Sequence, residues 1–338
     1  MNVFIVTQPL LNNYGGLLQN FALQKTLKSL GCQVKTIDYI RRPSLPFWMT
    51  FLSWMKTILF FFIPGKRRRF VSYIHKGQRN PMSEDFCSNY IEKTPVTVDY
   101  KAFFKSQEAP CCVVVGSDQV WRPLYNYSIR DMFLDFCKER KNIKRIAYAA
   151  SFGVDDWELS PKQTEACSAL VKNFDAISVR EQSGVNLCNT YLGVQATWVL
   201  DPTLLLNKDD YCEVCKSVPV TDEKILAAYV LDKSDSIRSL CESIAAERGL
   251  ELRFFEAGPN ATLTIPEWLA MFRDASYVVT DSFHGTVFSI IFNKDFKCIY
   301  NESRGATRFE SLLEMYRSSK LHEMRELSLN WLKNALVS

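Results

Sequence analysis

The chain has 338 residues, of which 47% are hydrophobic and 23% charged. That balance excludes a disordered protein, and the length exceeds one typical core, so two domains are expected. A formal charge of +4 is too slight at this length to point to nucleic acid, and eleven cysteines, an odd number without regular spacing, argue against a disulfide framework.

The first strand is expected in Asn2-Val3-Phe4-Ile5-Val6-Thr7, which leaves no room for a charged and then apolar leader; a cytoplasmic location is the expectation. Asn13-Tyr14-Gly15-Gly16 follow and precede a helical pattern over residues 17–30. Glycines at the carboxyl end of a first strand let a ligand approach the backbone, although an ordinary strand–helix turn has the same composition. The spacing is not G-x-G-x-x-G, so no dinucleotide is indicated. A second strand is expected over residues 34–39.

Residues 41–75 depart from the alternation and read as an insertion. Pro43, Pro46 and Pro64 bracket the aromatic run from Phe47 to Ile63, and Lys66-Arg67-Arg68-Arg69 come next. The run falls short of the roughly 20 apolar residues of a membrane span. Tryptophan and phenylalanine beside a basic cluster suit an interfacial helix on an anionic leaflet; a lid packed on the protein's own core fits equally.

Further strands are expected over residues 112–116, 146–151, 176–180 and 197–200. The first runs into Gly116-Ser117-Asp118-Gln119-Val120-Trp121, where Asp118 would accept protons from sugar hydroxyls and Trp121 would stack on a sugar face, or Asp118 would merely cap a helix. Ser178-Val179-Arg180-Glu181 ends another. An arginine there suits bidentate binding of phosphate or carboxylate, with an ion pair closing the domain edge as the plain alternative.

Near Asp201-Pro202 one run of alternation ends and another begins, dividing the chain into domains 1–200 and 201–338. Cys212 and Cys215 form C-x-x-C, but no second pair follows, His322 is isolated and tetrahedral zinc needs four ligands, so no metal is expected. Strands are expected over residues 225–231, 252–255, 277–280 and 297–300, with helices over 236–248 and 266–273. Strand–helix alternation throughout implies two doubly wound α/β domains with parallel sheets, facing each other across a cleft. Thr280-Asp281-Ser282-Phe283-His284-Gly285 lies between a strand end and a helix start, a place with unpaired N–H groups and a positive dipole end. Ser282 adds a hydroxyl, Gly285 allows close approach, and His284 exchanges protons near neutral pH. Arg304 and Arg308 form a second basic group.

Together these motifs resemble the polysaccharide pyruvyl transferase family over nearly the whole chain. The residues that carry the likeness are Asn13 to Gly16, Gly116 to Trp121, Ser178 to Glu181, Asp201-Pro202-Thr203-Leu204-Leu205 and Thr280 to Gly285, in family order. The resemblance implies two Rossmann-like domains of glycosyltransferase-B type, with the acceptor on the first and the donor on the second. It implies transfer of the pyruvyl group of phosphoenolpyruvate to two hydroxyls of a sugar, giving a cyclic ketal and phosphate, with no cofactor beyond that donor. The family's donor-site histidine maps onto His284 and its strand-end arginine onto Arg180; Ser282, Phe283 and Gly285 complete the donor turn. Asn13, Tyr14, Gly15, Gly16, Ser117, Asp118 and Trp121 fall on the acceptor side. Relatives often carry Arg-Leu-His where this chain has Ser282-Phe283-His284, so an arginine contact to the donor is missing from this turn, and Arg304 and Arg308 are the candidates to replace it. A nucleotide-sugar glycosyltransferase and a non-catalytic carbohydrate-binding protein are the rival readings. The acceptor sugar, its possible lipid linkage and the oligomeric state are not readable from the residues.

Overall fold

A computed structural model describes residues 1–40, 47–61, 79–107, 110–299 and 306–337. The first half runs β1 (Asn2–Val6), α1 (Tyr14–Ser29), β2 (Gln33–Thr36), α2 (Phe47–Phe61), α3 (Pro81–Tyr90), α4 (Tyr100–Lys105), β3 (Cys111–Val115), β4 (Ile143–Ala150), α5 (Pro161–Val171), β5 (Ala176–Val179), α6 (Gln182–Leu187) and β6 (Thr197–Trp198). The second runs α7 (Lys208–Val214), β7 (Ile225–Tyr229), α8 (Asp235–Arg248), β8 (Glu251–Phe254), α9 (Ile265–Asp274), β9 (Tyr277–Thr280), α10 (Phe283–Ile291), β10 (Phe296–Cys298), α11 (Ala306–Arg317) and α12 (Leu321–Val337).

Among the described residues every strand pairing is parallel. The order β2-β1-β3-β4-β5-β6 makes one sheet and β10-β9-β7-β8 the other, so the two doubly wound α/β units are present. β3, Cys-Cys-Val-Val-Val, is buried along its whole length, as a central parallel strand with both faces covered must be. Its partners in register are Val3 to Val6 of β1 and Ile143 to Ala147 of β4. Local chemistry sets the helix starts. Asn13 caps α1 by accepting from the Gly16 N–H at 3.3 Å, and Thr264 with Glu267 forms a capping box on α9.

The two sheets are joined by side chains from α1. Leu17, Leu18 and Phe21 pack into one apolar cluster with Tyr211, Trp268 and Phe288, while Leu23 and Leu27 pack against the first sheet. α1 is buried around most of its circumference although it is not apolar throughout, and its buried amides are paired: Gln19 Nε2 donates to Thr7 Oγ1 at 3.3 Å and Gln24 Nε2 to Thr36 Oγ1 at 2.7 Å. The chain end goes elsewhere than a division at residue 201 implies. Leu332 and Ala335 of α12 join Val3, Ile5, Val114 and Ile146 of the first sheet, and the Leu200 N–H donates to Ser328 Oγ at 2.9 Å. The first sheet has a face to cover, and the last helix covers it. Cys212 and Cys215 stand one turn apart at the end of α7, where Cys215 is buried in the apolar cluster.

Candidate active site

In a doubly wound sheet the crevice for ligands opens where neighbouring strands send their connections to opposite sides. In the first sheet that point lies between β1 and β3, since β1 pairs with β2 on one side and β3 on the other. A cavity of about 380 Å³ opens there, lined by Gln8, Asn13, Gly16, Gln19, Asp118 and Tyr125 among others. Its polar wall is already ordered. Gln8 Nε2 donates to Asn126 Oδ1 at 3.0 Å and the Gln119 N–H to Asp118 Oδ1 at 2.8 Å, while Gln19 accepts from the Ser117 N–H at 3.2 Å.

The corresponding point of the second sheet, between β7 and β9, is closed by the chain's own turn. Thr280 Oγ1 donates to the Tyr229 carbonyl at 2.7 Å, and the Asp281 carboxylate accepts from the Leu231 and Asp232 N–H groups at 2.6 and 2.8 Å. Ser282 then caps α10, accepting from the Gly285 N–H at 3.4 Å. His284 is consequently the second residue of α10, as Gly15 is of α1, and the two first turns meet. A Cβ at Gly15 would overlap the imidazole Nδ1 and ring carbons. Only glycine lets the backbone come so close to that ring. Two helix N-termini, each worth roughly half a positive charge, thus meet at one half-buried imidazole, and Asp118 packs against Gly16, the next residue of α1.

Behind this pair lies a buried ionic cluster. Arg180 Nη1 donates to Asp201 Oδ2 at 2.8 Å and Nη2 to Ser151 Oγ at 3.0 Å, and its side chain is 2% exposed. The guanidinium carbon sits 4.9 Å from the centre of the Phe283 ring, whose edge contacts His284. Burial would push the Asp201 carboxyl up, but the Arg180 charge, and after it His284, hold it below the usual carboxylate range. Burial works against the Arg180 charge, and Asp201, Glu181 and Asp118 together outweigh it, so the guanidinium stays ionised.

The structure redistributes several expected roles. Asn13, Gly15, Gly16 and Asp118 do meet at the cleft. Tyr14 does not: it is fully buried, and its hydroxyl donates to the Leu263 carbonyl at 2.7 Å, tying the domains together. Ser117 is fully buried, hydrogen-bonded to Gln19. Trp121 cannot stack on a sugar, because it is fully buried against Phe133, ring centres 4.9 Å apart, with its indole N–H on the Met132 carbonyl. Gly285 serves packing rather than ligand approach, since a Cβ there would strike Thr280 Oγ1. Arg180 reaches the junction of the domains but as a buried ion pair behind Phe283, where an open anion clamp would need exposed donors. Arg304 lies outside the described residues, and Arg308 opens α11, where its side chain is not described. The sequence reading passed over the amides of Gln8, Gln19 and Gln119; their positions just beyond β1, in α1 and after β3 were the available signal.

Parallel sheets whose carboxyl ends share one cleft are the architecture of glycosyltransferase-B type enzymes. UDP-GlcNAc 2-epimerase from Methanocaldococcus jannaschii superposes with a TM-score of 0.50 at 10% identity, covering 98% of this chain and 93% of that one. UDP-GlcNAc 2-epimerase from Neisseria meningitidis, bound to UDP-GlcNAc, gives 0.49 at 10% identity over 96% and 94%. A glycosyltransferase from Rickettsia africae gives 0.39 at 8% identity over 99% and 93%. At such identities the likeness speaks to fold alone. No curated protein matches in sequence. The family is defined by sequence: residues 13–303 match the model of the polysaccharide pyruvyl transferases, and the chain belongs to that family. It is a transferase of the polysaccharide-modifying class.

Proposed function

We propose that this protein moves the pyruvyl group of phosphoenolpyruvate onto two hydroxyls of a sugar in a surface polysaccharide or its lipid-linked precursor. The observation that carries this reading is the imidazole of His284 held against the start of α1, where two helix dipoles converge beside a polar cavity. The reaction needs a proton for the vinyl carbon of the donor, a positive field for its phosphate and carboxylate, and a place for a hydroxyl-bearing acceptor. His284 gives the proton to the vinyl carbon. A sugar hydroxyl attacks the resulting oxocarbenium-like carbon and loses its proton, with Asp118 placed to receive it. The carbon–oxygen bond to phosphate then breaks, the second hydroxyl closes the ketal, and its proton restores His284. Phosphate leaves with the remaining proton. The family resemblance gives the remaining donor contact to Arg304 or Arg308, and no metal or other cofactor is required.

Incubation of the pure protein with phosphoenolpyruvate and candidate galactosides, reading phosphate release and the ketal by mass, tests the proposal. Calorimetric titration with phosphoenolpyruvate that shows no binding overturns it. A nucleotide-sugar donor is the second reading, favoured by a cavity of about 270 Å³ beyond β7 and β8 that is walled by Phe254 and Phe255 and flanked by Lys233 and Arg238. Titration with UDP separates the two, since only the second reading gives heat there. We place the reaction in the cytoplasm, at the inner face of the membrane.

Gly15→Ala makes a sharp prediction. Alanine suits a helix interior, so the fold should survive. The added methyl must turn the imidazole away, and transfer should fall by about 100-fold or more. Combined with His284→Gln it should cost little beyond either change alone, because both remove the same group. Steady-state rates of the two single variants and the double variant check this, and wild-type turnover by Gly15→Ala would show that the imidazole works from another position.

A further inference from the structure

Among the described side chains of helix α2, the hydroxyls of Ser53 and Thr57 are covered while the large apolar groups are not. Ser53 is buried and Thr57, one turn on, is half-buried, with its hydroxyl donating to the Ser53 carbonyl at 2.8 Å. The large apolar side chains point outward: Phe47 is 89% exposed, Trp48 59% and Trp54 53%, with Phe51, Leu52 and Met55 close behind. A surface helix of a water-soluble domain shows the reverse, so this face is built to be covered.

We infer that α2 lies in the headgroup region of an anionic lipid bilayer. Fifteen residues rise about 22 Å, too short to cross, and no described helix is long and apolar enough to do so. The exposed Phe47, Trp48, Phe51 and Trp54 are side chains of the kind that settle at a membrane–water interface. Charge selects the partner. Lys56 is exposed on the helix, and Lys66-Arg67-Arg68-Arg69 begin five residues past its end in the sequence. A neutral apolar protein groove has no use for those cations; an anionic leaflet attracts each of them.

The insertion is anchored beside the acceptor cavity. Before it, the Ile40 N–H donates to the Thr97 carbonyl at 2.9 Å, and Tyr39 and Ile40 share a groove with Gln8 and Tyr125. After it, Arg79 pairs with Asp38 at 2.6 Å and the Asn80 N–H donates to Asn12 Oδ1 at 2.7 Å. Seven steps along the chain lead from Ile40 to Phe47, a reach of about 25 Å at most. A bilayer holding α2 therefore holds the mouth of that cavity near its surface, which suits an acceptor carried on lipid. That last step rests on the transfer reading above, whereas the docking itself does not.

The test is co-sedimentation of the full chain with phosphatidylcholine vesicles, with and without phosphatidylglycerol, at low and high salt. Pelleting is expected only with the anionic vesicles and should fall as salt rises, exposed charges being screened over about 10 Å at 0.1 M. Trp48→Ser, Phe51→Ser and Trp54→Ser together should weaken it at least tenfold while leaving the thermal midpoint in place. Lys66→Ser, Arg67→Ser, Arg68→Ser and Arg69→Ser together should weaken it about five-fold per charge removed. Absence of pelleting with anionic vesicles at low salt overturns the inference. So does a dimer by light scattering that the aromatic variant dissolves, because α2 is then covered by a second copy. Neither outcome depends on donor or turnover, so failure here leaves pyruvyl transfer standing, and failure of transfer leaves docking standing.

Discussion

His284→Gln is expected to keep its thermal midpoint and to lose pyruvyl transfer by about 100- to 10,000-fold, the usual contribution of a positioned acid or base. Stability should hold because the ring is only half-buried and α10 takes its start from Ser282, not from the imidazole. Glutamine keeps a polar side chain of similar reach against Gly15 but cannot deliver a proton to carbon. Single-turnover rates with phosphoenolpyruvate, alongside a melting curve, separate the two effects. A variant that retains the wild-type rate removes His284 from the chemistry, and one that melts early makes it a packing residue.

Asp201→Asn is expected to act oppositely, on the fold before the chemistry. It leaves the Arg180 guanidinium, 2% exposed, without its closest carboxylate partner at 2.8 Å. Breaking a buried pair from one side typically costs about 3–5 kcal/mol, which lowers a midpoint by of order 10 °C. Arg180→Met with Asp201→Leu should recover much of that loss, since an apolar replacement leaves no uncompensated charge. The pH dependence has a definite sign. The Asp201 carboxyl is held below its usual value in the fold, so its contribution is fully present above about pH 4 and fades as pH falls through the depressed folded value. The gap between wild type and Asp201→Asn should therefore be flat from pH 5 to 8 and narrow only in acid. Urea melts at several pH values check this, and a gap that closes near neutrality would mean that the pair is not what holds Arg180. Some loss of turnover should accompany the loss of stability, because Arg180 backs Phe283 and Phe283 backs His284.

These two residues show how differently the sequence exposes its contents. The position of His284 at the start of α10 was legible from its neighbours: two valines of a buried strand before it, a capping serine, then apolar residues at helical spacing. Asp201 was legible only as the start of a second run of alternation. Its pairing with Arg180 spans 21 residues and depends on β5 and the turn after β6 lying side by side. Trp121 failed for the same kind of reason. Gly-Ser-Asp before it suggests a ligand turn, but the short 3-10 segment Ile129–Phe133 brings Phe133 onto the indole and seals it in the core.

By itself the sequence determined the strand–helix alternation, the parallel sheets and the turn that starts α10, since each follows from periodicity, β-branched runs and capping residues within a few positions; the family was legible separately, as a resemblance carried by five motifs in order. It also marked α2 as a misfit, because its aromatic run suits no strand of the alternation. Tertiary structure alone decided which turns face one another. Gly15 and His284 are 269 positions apart, and only the packing of α1 between the two sheets brings them into contact. It decided, too, that Arg180 is a buried ion pair, that α12 returns to the first sheet, and that Ser53 and not the tryptophans of α2 faces inward. The division has one physical cause: propensity and capping act along the chain, whereas burial and electrostatic pairing are set by segments that meet only in the folded state.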